Sequence, residues 1–152
     1  MTEFDPKLFF IDTNILVYAY DTTDAQKHLI AKNLLERCWK KEVVYTLSAQ
    51  NLAEFFVVAT RKIPHPISPA VAEQIVKDIS SFSHWKVLYY DATTVLFAIH
   101  LSASLKRGFW DALLAATMLQ QGVCGIYTEN TVDFKPLKQI AVINPFDEMV
   151  KA

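Results

Sequence analysis

The stretch from Lys7 to Tyr20 limits most strongly what this chain can become. Lys-Leu-Phe-Phe-Ile is a short apolar run with an aromatic and β-branched bias, the pattern of a buried strand. Asp12, Thr13 and Asn14 interrupt it with small polar side chains, and Ile15 to Tyr20 returns to an apolar run that can pack as a helix. Strand, polar turn, helix is how an open α/β fold begins. Ligands of such folds bind at the carboxyl ends of the strands. Asp12 is therefore expected to be the first member of an acidic site.

The rest of the chain continues the alternation. Thr23-Asp24-Ala25-Gln26 reads as a capping box, with Thr23 as N-cap of a helix running to about Trp39. After the polar turn Lys40-Lys41-Glu42, Val43 to Leu47 reads as a second strand and Ser48 as the N-cap of a helix from Ala49 to Lys62. Pro64 and Pro66 stop that helix. Ser68-Pro69 starts another, to about Ser81, with Pro at the first helical position where its missing N–H costs nothing. Trp85 to Tyr89 is a third strand, and Asp91 or Thr93 caps a helix to about Lys106. Gly108 separates this from a helix over Phe109 to Gln121, which Gly122 ends. Gly125 to Tyr127 and Ala141 to Ile143 are the last strands, with a polar loop from Thr128 to Asp133 between them. Strands separated by helices predict an α/β fold, a mostly parallel central sheet flanked by helices on both faces.

Composition narrows the function classes. A chain of 152 residues fits one domain over its whole length, burying roughly two thirds of its unfolded surface. A hydrophobic content of 52% argues against disorder. The longest apolar runs fall well short of the ~20 residues that span a bilayer. The opening Met-Thr-Glu-Phe-Asp-Pro has neither a basic region nor a signal-peptide core. The expectation is a cytoplasmic protein with no membrane partner. A net charge of −1 lacks the basic signature of many nucleic-acid binders, unless Lys and Arg are concentrated locally. Cys38 and Cys124 form no Cys-x-x-Cys and pair with no His at zinc spacing, so they read as buried free thiols. His28, His65, His84 and His100 form no spaced set. Gly108, Gly122 and Gly125 cannot make a dinucleotide or phosphate loop, and no Gly-x-Ser-x-Gly elbow is present.

Three carboxylates stand where a folded chain usually avoids them. Asp12 ends a buried strand, a place where Asp also serves as a helix N-cap. On the helix that carries Glu54, Leu52, Phe55, Phe56 and Ala59 share one face at about 100° per residue. Glu54 points roughly opposite Leu52, yet Val57 and Val58 flank that opposite face, so it is not a plain solvated one. Asp111 shares a stripe with Leu114, Ala115 and Met118 on a helix predicted to be buried all round. There the helix dipole alone would favour it, but a buried carboxylate still needs a partner. Acids so placed, without a matching set of Lys or Arg in the apolar segments, repel one another. A hard divalent cation resolves that repulsion; Mg2+ typically takes one or two carboxylates and keeps waters for a phosphate substrate. Thr128 to Asp133, although also a turn rich in turn-forming residues, would add a hydroxyl, an amide and a further carboxylate at the same sheet edge.

Four motifs recur in a fixed order over residues 9 to 134: Phe10-Ile-Asp12-Thr-Asn14, Ser48-Ala-Gln-Asn-Leu-Ala-Glu54, Phe109-Trp-Asp111-Ala-Leu-Leu-Ala-Ala-Thr117 and Tyr127-Thr-Glu-Asn130-Thr-Val-Asp133-Phe134. In these the chain resembles the PIN-domain ribonucleases, and most closely the VapC-type toxins of bacterial toxin–antitoxin pairs. The resemblance implies a single PIN-like domain over residues 1–152, with Asp12, Glu54 and Asp111 as core acidic ligands of Mg2+ or Mn2+. The fourth position stays open between Asn130, where many relatives carry Asp, and Asp133. Thr13, Asn14 and Thr128 would orient the ligands or metal-bound water. The implied reaction is metal-assisted hydrolysis of an RNA phosphodiester, with one cation or two. Arg61-Lys62 and Lys106-Arg107 are candidate phosphate contacts, though either pair also suits a solvated helix end. The resemblance further implies an antitoxin whose tail covers the acidic cleft, delivering an Arg to the carboxylates. It also implies a homodimer, to which Phe55, Phe56 or the Pro64–Pro69 region would contribute.

Two other readings compete. A PIN-like module that binds RNA or protein without cutting is favoured by the neutral Asn130 and the unremarkable charge. A haloacid-dehalogenase-like phosphatase with Asp12 as nucleophile lacks its general acid, because the second acid of Asp-x-Asp is Asn14 here.

Overall fold

The computed structural model describes residues 7–105 and 108–147. Its elements in chain order are β1 (Phe9–Ile11), α1 (Thr13–Tyr18), α2 (Ala25–Trp39), β2 (Tyr45–Ser48), α3 (Ala49–Arg61), α4 (Pro69–Ser81), β3 (Trp85–Leu88), α5 (Ala92–Leu105), α6 (Phe109–Gln120), β4 (Gly125–Tyr127), α7 (Thr131–Phe134) and β5 (Ala141–Ile143). The sheet order is β3-β2-β1-β4-β5, and each neighbouring pair is parallel. From β1 the chain builds outward to β3, then crosses back to place β4 and β5 on the other side. The order therefore reverses between β1 and β4. In an open parallel sheet that reversal leaves a crevice at the carboxyl ends of the two strands.

Alternation along the strands creates a core on each face. Ile11, Tyr45, Leu47 and Trp85 face Ile15 of α1, Leu35 of α2, Phe55 of α3 and Ile79 of α4. Phe10, Leu88 and Ile126 face the other way, toward Leu114 and Met118 of α6 and Phe134 of α7. The expected parallel sheet with helices on both faces is thus what forms. Small residues let α5 and α6 pack closely, with Ala98 against Ala112, Leu113 and Ala116. Gly125 pairs with Phe9 across β1 and β4. A Cβ there would overlap the Phe9 ring, which lies across the glycine and packs on Tyr127 at 5.1 Å.

Several local expectations change. The N-cap of α2 is Asp24, whose side chain accepts from the Lys27 N–H at 3.1 Å. Thr23 instead turns its N–H and hydroxyl back to Asp21. β2 starts at Tyr45 rather than Val43, because its partners Phe9 and Trp85 begin at that level. The polar segment after β4 contains α7, a single helical turn. Cys38 is buried as expected but Cys124 is only half-buried. Phe55 has 0% exposure and belongs to the core, so it offers nothing to a partner surface. The end of α6 is as read, with Gly122 at a left-handed φ of 73°. Among the described residues no helix is long and apolar enough to cross a membrane.

Candidate active site

The crevice at the reversal point is a cleft of about 390 Å³, and helical stripes build its walls. α1 and its flanks contribute Asp12, Thr13, Asn14, Val17, Tyr18 and Asp21. α3 contributes Gln50, Glu54 and Val58, spaced one helical turn apart, and α6 contributes Asp111 and Leu114. Asn130, Asp133 and Phe134 close the cleft beside β4. The five acidic or amide positions singled out in the sequence therefore meet around one space. Asp111 reaches it differently from expectation. It shares the stripe of Leu114, but the first turn of α6 opens onto the cleft and Asp111 is exposed, while Ala112 to Met118 are buried.

Asp12 is the deepest of the acids, 7% exposed. Its Oδ1 accepts the Thr13 N–H at 2.8 Å, so it caps α1 while facing the cleft. Its Oδ2 accepts the Thr128 hydroxyl at 2.7 Å and the Asn14 amide at 3.3 Å. Burial pushes the Asp12 carboxyl above its ordinary range. The bonds from Thr128 and Thr13 pull the other way, and the negative charges of Glu54 and Asp111 add to the rise.

Glu54 is held through a chain of buried polar groups. Its Oε2 accepts the Thr13 hydroxyl at 2.8 Å, and that hydroxyl accepts the Asn51 amide at 2.8 Å. Asn51 in turn accepts the Ser48 N–H and hydroxyl, completing the capping box that starts α3. Sequence reading found the Ser48 cap but not its wiring to the site. The signal was Asn at the third helical position after Ser, a shortened form of the Ser-x-x-Glu box. Gln50 was also missed. Its amide donates to Glu54 Oε1 at 3.1 Å and to the Trp110 carbonyl at 3.2 Å, bridging α3 to α6.

The loop after β4 is fixed by Glu129. That carboxylate pairs with Lys27 at 2.6 Å and accepts the Tyr18 hydroxyl at 3.2 Å. Its N–H donates to Asn14 Oδ1 at 3.3 Å. Glu129 is thus committed to holding the loop, while Asn130 and Asp133 both line the cleft. Arg61 and Lys62 do not line it; they end α3 exposed, next to Ile63, which does. Lys106 and Arg107 lie outside the described residues.

The donor set suits a hard cation. Asp12, Asp21, Glu54, Asp111, Asn130 and Asp133 offer only oxygen, and among the described residues lining the cleft there is no Lys or Arg. As they stand, no three acidic, His or Cys side chains among the described residues converge tightly enough to cage an ion. Mg2+ does not require a cage, because it takes one or two carboxylates and completes its shell with water. Asp12, deprived of solvent and facing two more acids, is the group that gains most from such a cation.

Solved structures share this fold. No curated protein matches the chain by sequence. The fold is shared with the VapC20 toxin of Mycobacterium tuberculosis, a sarcin-ricin loop cleaving toxin, at 22% identity and a TM-score of 0.63, covering 82% of this chain and 92% of that one. A toxin–antitoxin complex from Klebsiella pneumoniae matches at 21% identity and a TM-score of 0.62, covering 90% and 96%. The VapBC2 complex of Rickettsia felis, solved bound to a DNA fragment from its promoter, matches at 20% identity and a TM-score of 0.62, covering 90% and 98%. The PIN domain model matches residues 9–136, from the first residue of β1 to just beyond α7. Every residue of the cleft falls inside that match, and the chain belongs to the PIN domain family.

Proposed function

We propose that this protein is a Mg2+- or Mn2+-dependent endoribonuclease of the VapC toxin type, hydrolysing RNA phosphodiester bonds at the acidic cleft. The observation that carries the reading is that the buried Asp12 meets Glu54, Asp111, Asn130 and Asp133 around one cleft with no Lys or Arg among its described lining residues. A fold does not normally keep such a group at a sheet edge without a cation to neutralise it. When bound, the cation supplies Lewis-acid activation of water and neutralises charge on the phosphate.

The chain's own residues have separable tasks in this scheme. Thr13, Asn14 and Thr128 fix the direction of the Asp12 oxygens. Thr13 and Gln50 fix those of Glu54. Asp111 completes the acidic set, and Asn130 or Asp133 takes the fourth position. Arg61 and Lys62 reach RNA phosphates outside the cleft. The solved neighbours include toxin–antitoxin complexes, and this protein would likewise pair with an antitoxin, here one that covers the cleft. It would work in the cytoplasm as a homodimer.

The test is cleavage of a mixed RNA pool by purified protein with Mn2+, with EDTA, and with Asp111→Asn. Cleavage that requires Mn2+ and falls at least about a hundredfold in the variant is expected, the scale of losing one preorganised charge. A folded protein that binds RNA but never cuts it would instead favour the non-catalytic module, for which the neutral Asn130 is the argument.

A further inference from the structure

An exposed aromatic residue adjoining the cleft acid Asp111 has no task in the scheme above. Trp110 stands in the first turn of α6, next to Asp111, and is 64% exposed. An indole left in water forgoes the largest burial gain available to any side chain. It is nevertheless held in place. Phe109 meets it edge to face at 5.7 Å, with 70° between the ring planes. Its carbonyl accepts the same Gln50 amide that holds Glu54. The orientation of that amide is fixed, because both partners are oxygens and only the NH2 group can serve them. The turn of backbone that carries the indole is therefore tied by one side chain to an acid of the cleft.

The cleft explains what such a platform is for. Among the described residues its walls carry acids and no Lys or Arg, so they offer a strand of RNA little attraction beyond what a bound cation would mediate. A base stacked on an exposed ring adds affinity that does not depend on charge and accepts any base. We propose that Trp110 is the stacking platform for a nucleobase of the RNA strand whose scissile phosphate lies in the cleft, with Gln50 as the positioning residue that links platform to Glu54. The proposal rests on the nuclease reading.

Steady-state cleavage of single-stranded RNA oligonucleotides in Mn2+ tests it, with wild type, Trp110→Ala, Trp110→Phe and Gln50→Leu. Removal of the indole raises KM about tenfold, within the range for losing one base–aromatic stack, and the loss falls on KM rather than kcat. Trp110→Phe restores most of it. Gln50→Leu raises KM by a smaller factor and adds less to it in the Trp110→Ala background than in wild type, what remains being its lost hold on Glu54. RNA quenches the tryptophan fluorescence of wild type but not of Trp110→Phe, because Trp85 is buried and Trp39 half-buried.

An unchanged KM in Trp110→Ala overturns the platform, and so does a KM change accompanied by a shift in association state, which would assign the indole to a second copy. Additive KM effects of the two substitutions overturn the role of Gln50. Wild-type protein that neither cuts RNA nor is quenched by it overturns the nuclease reading and this proposal together. Cleavage with an unaltered Trp110→Ala overturns this proposal alone.

Discussion

Asp12 is held in place by burial, and burial is what makes its charge costly. Its folded-state pKa lies above the ordinary 3.8, so protons bind the folded form more tightly than the unfolded one. The stability that follows is fully present below the ordinary value and is lost as pH rises through the raised one. At neutral pH the ionised group is a net burden on the metal-free fold. Asp12→Asn removes the charge, and Asn is as good a helix N-cap as Asp. In EDTA at neutral pH this variant should melt above wild type, with the gap closing as the solution is acidified toward about pH 4. Added Mn2+ should raise the melting temperature of wild type and leave the variant unmoved. A lower melting temperature for Asp12→Asn in EDTA would mean that the bonds from Thr13, Asn14 and Thr128 outweigh desolvation.

At the scale of elements, α3 carries the main dependence between folding and site. Asn51 is fully buried, accepts from Ser48 at the start of the helix and donates to the Thr13 hydroxyl that holds Glu54. Asn51→Leu fills the space but strands the Ser48 N–H and one side of the Thr13 hydroxyl. Each buried group left unpaired costs roughly 1–3 kcal/mol, so urea unfolding should show a loss of about 2–6 kcal/mol. Mn2+ affinity should fall about tenfold or more, as when a ligand loses the group that orients it. Unchanged metal affinity in a folded variant would show that Glu54 needs no such support. The start of α3 was legible because Ser48 follows an apolar run and precedes a helical one. The same contrast exposed β1, Asp12 and α1. Other features depended on neighbours that sequence order hides. Asp111 looked buried because its helix is apolar on nearly every side, and only the packing of α6 beside the cleft leaves its first turn open. Phe55 and Phe56 look alike in sequence, yet one is sealed in the core and the other half-exposed. α7 is too short for any periodicity to show.

At the scale of the whole molecule, parallel topology does the gathering. Every strand's carboxyl end points the same way, so Asp12, Ser48 and Thr128, far apart in sequence, reach one edge of the sheet. A cation bound there stabilises the folded state as a unit, and Cys38 offers a distant reporter of that effect. Its thiol lies in the core between α2 and the sheet and donates to the His84 carbonyl at 3.1 Å. Burial pushes its pKa up to about 11, so at neutral pH it is both inaccessible and protonated. Only the thiolate reacts, and Cys38 should be alkylated only when the fold opens. A cation that binds the folded form alone reduces the open population by the factor 1 + [L]/Kd, about a hundredfold at a hundred times Kd. Mn2+ should therefore slow iodoacetamide labelling of Cys38 by that order in wild type and not in Asp111→Asn. The half-buried Cys124 serves as the internal control and should slow less. Equal slowing of both thiols in the variant would place the cation elsewhere than the cleft. No slowing in wild type would mean that these carboxylates bear their mutual repulsion without a metal, and the case for a metal-dependent nuclease would fall with it.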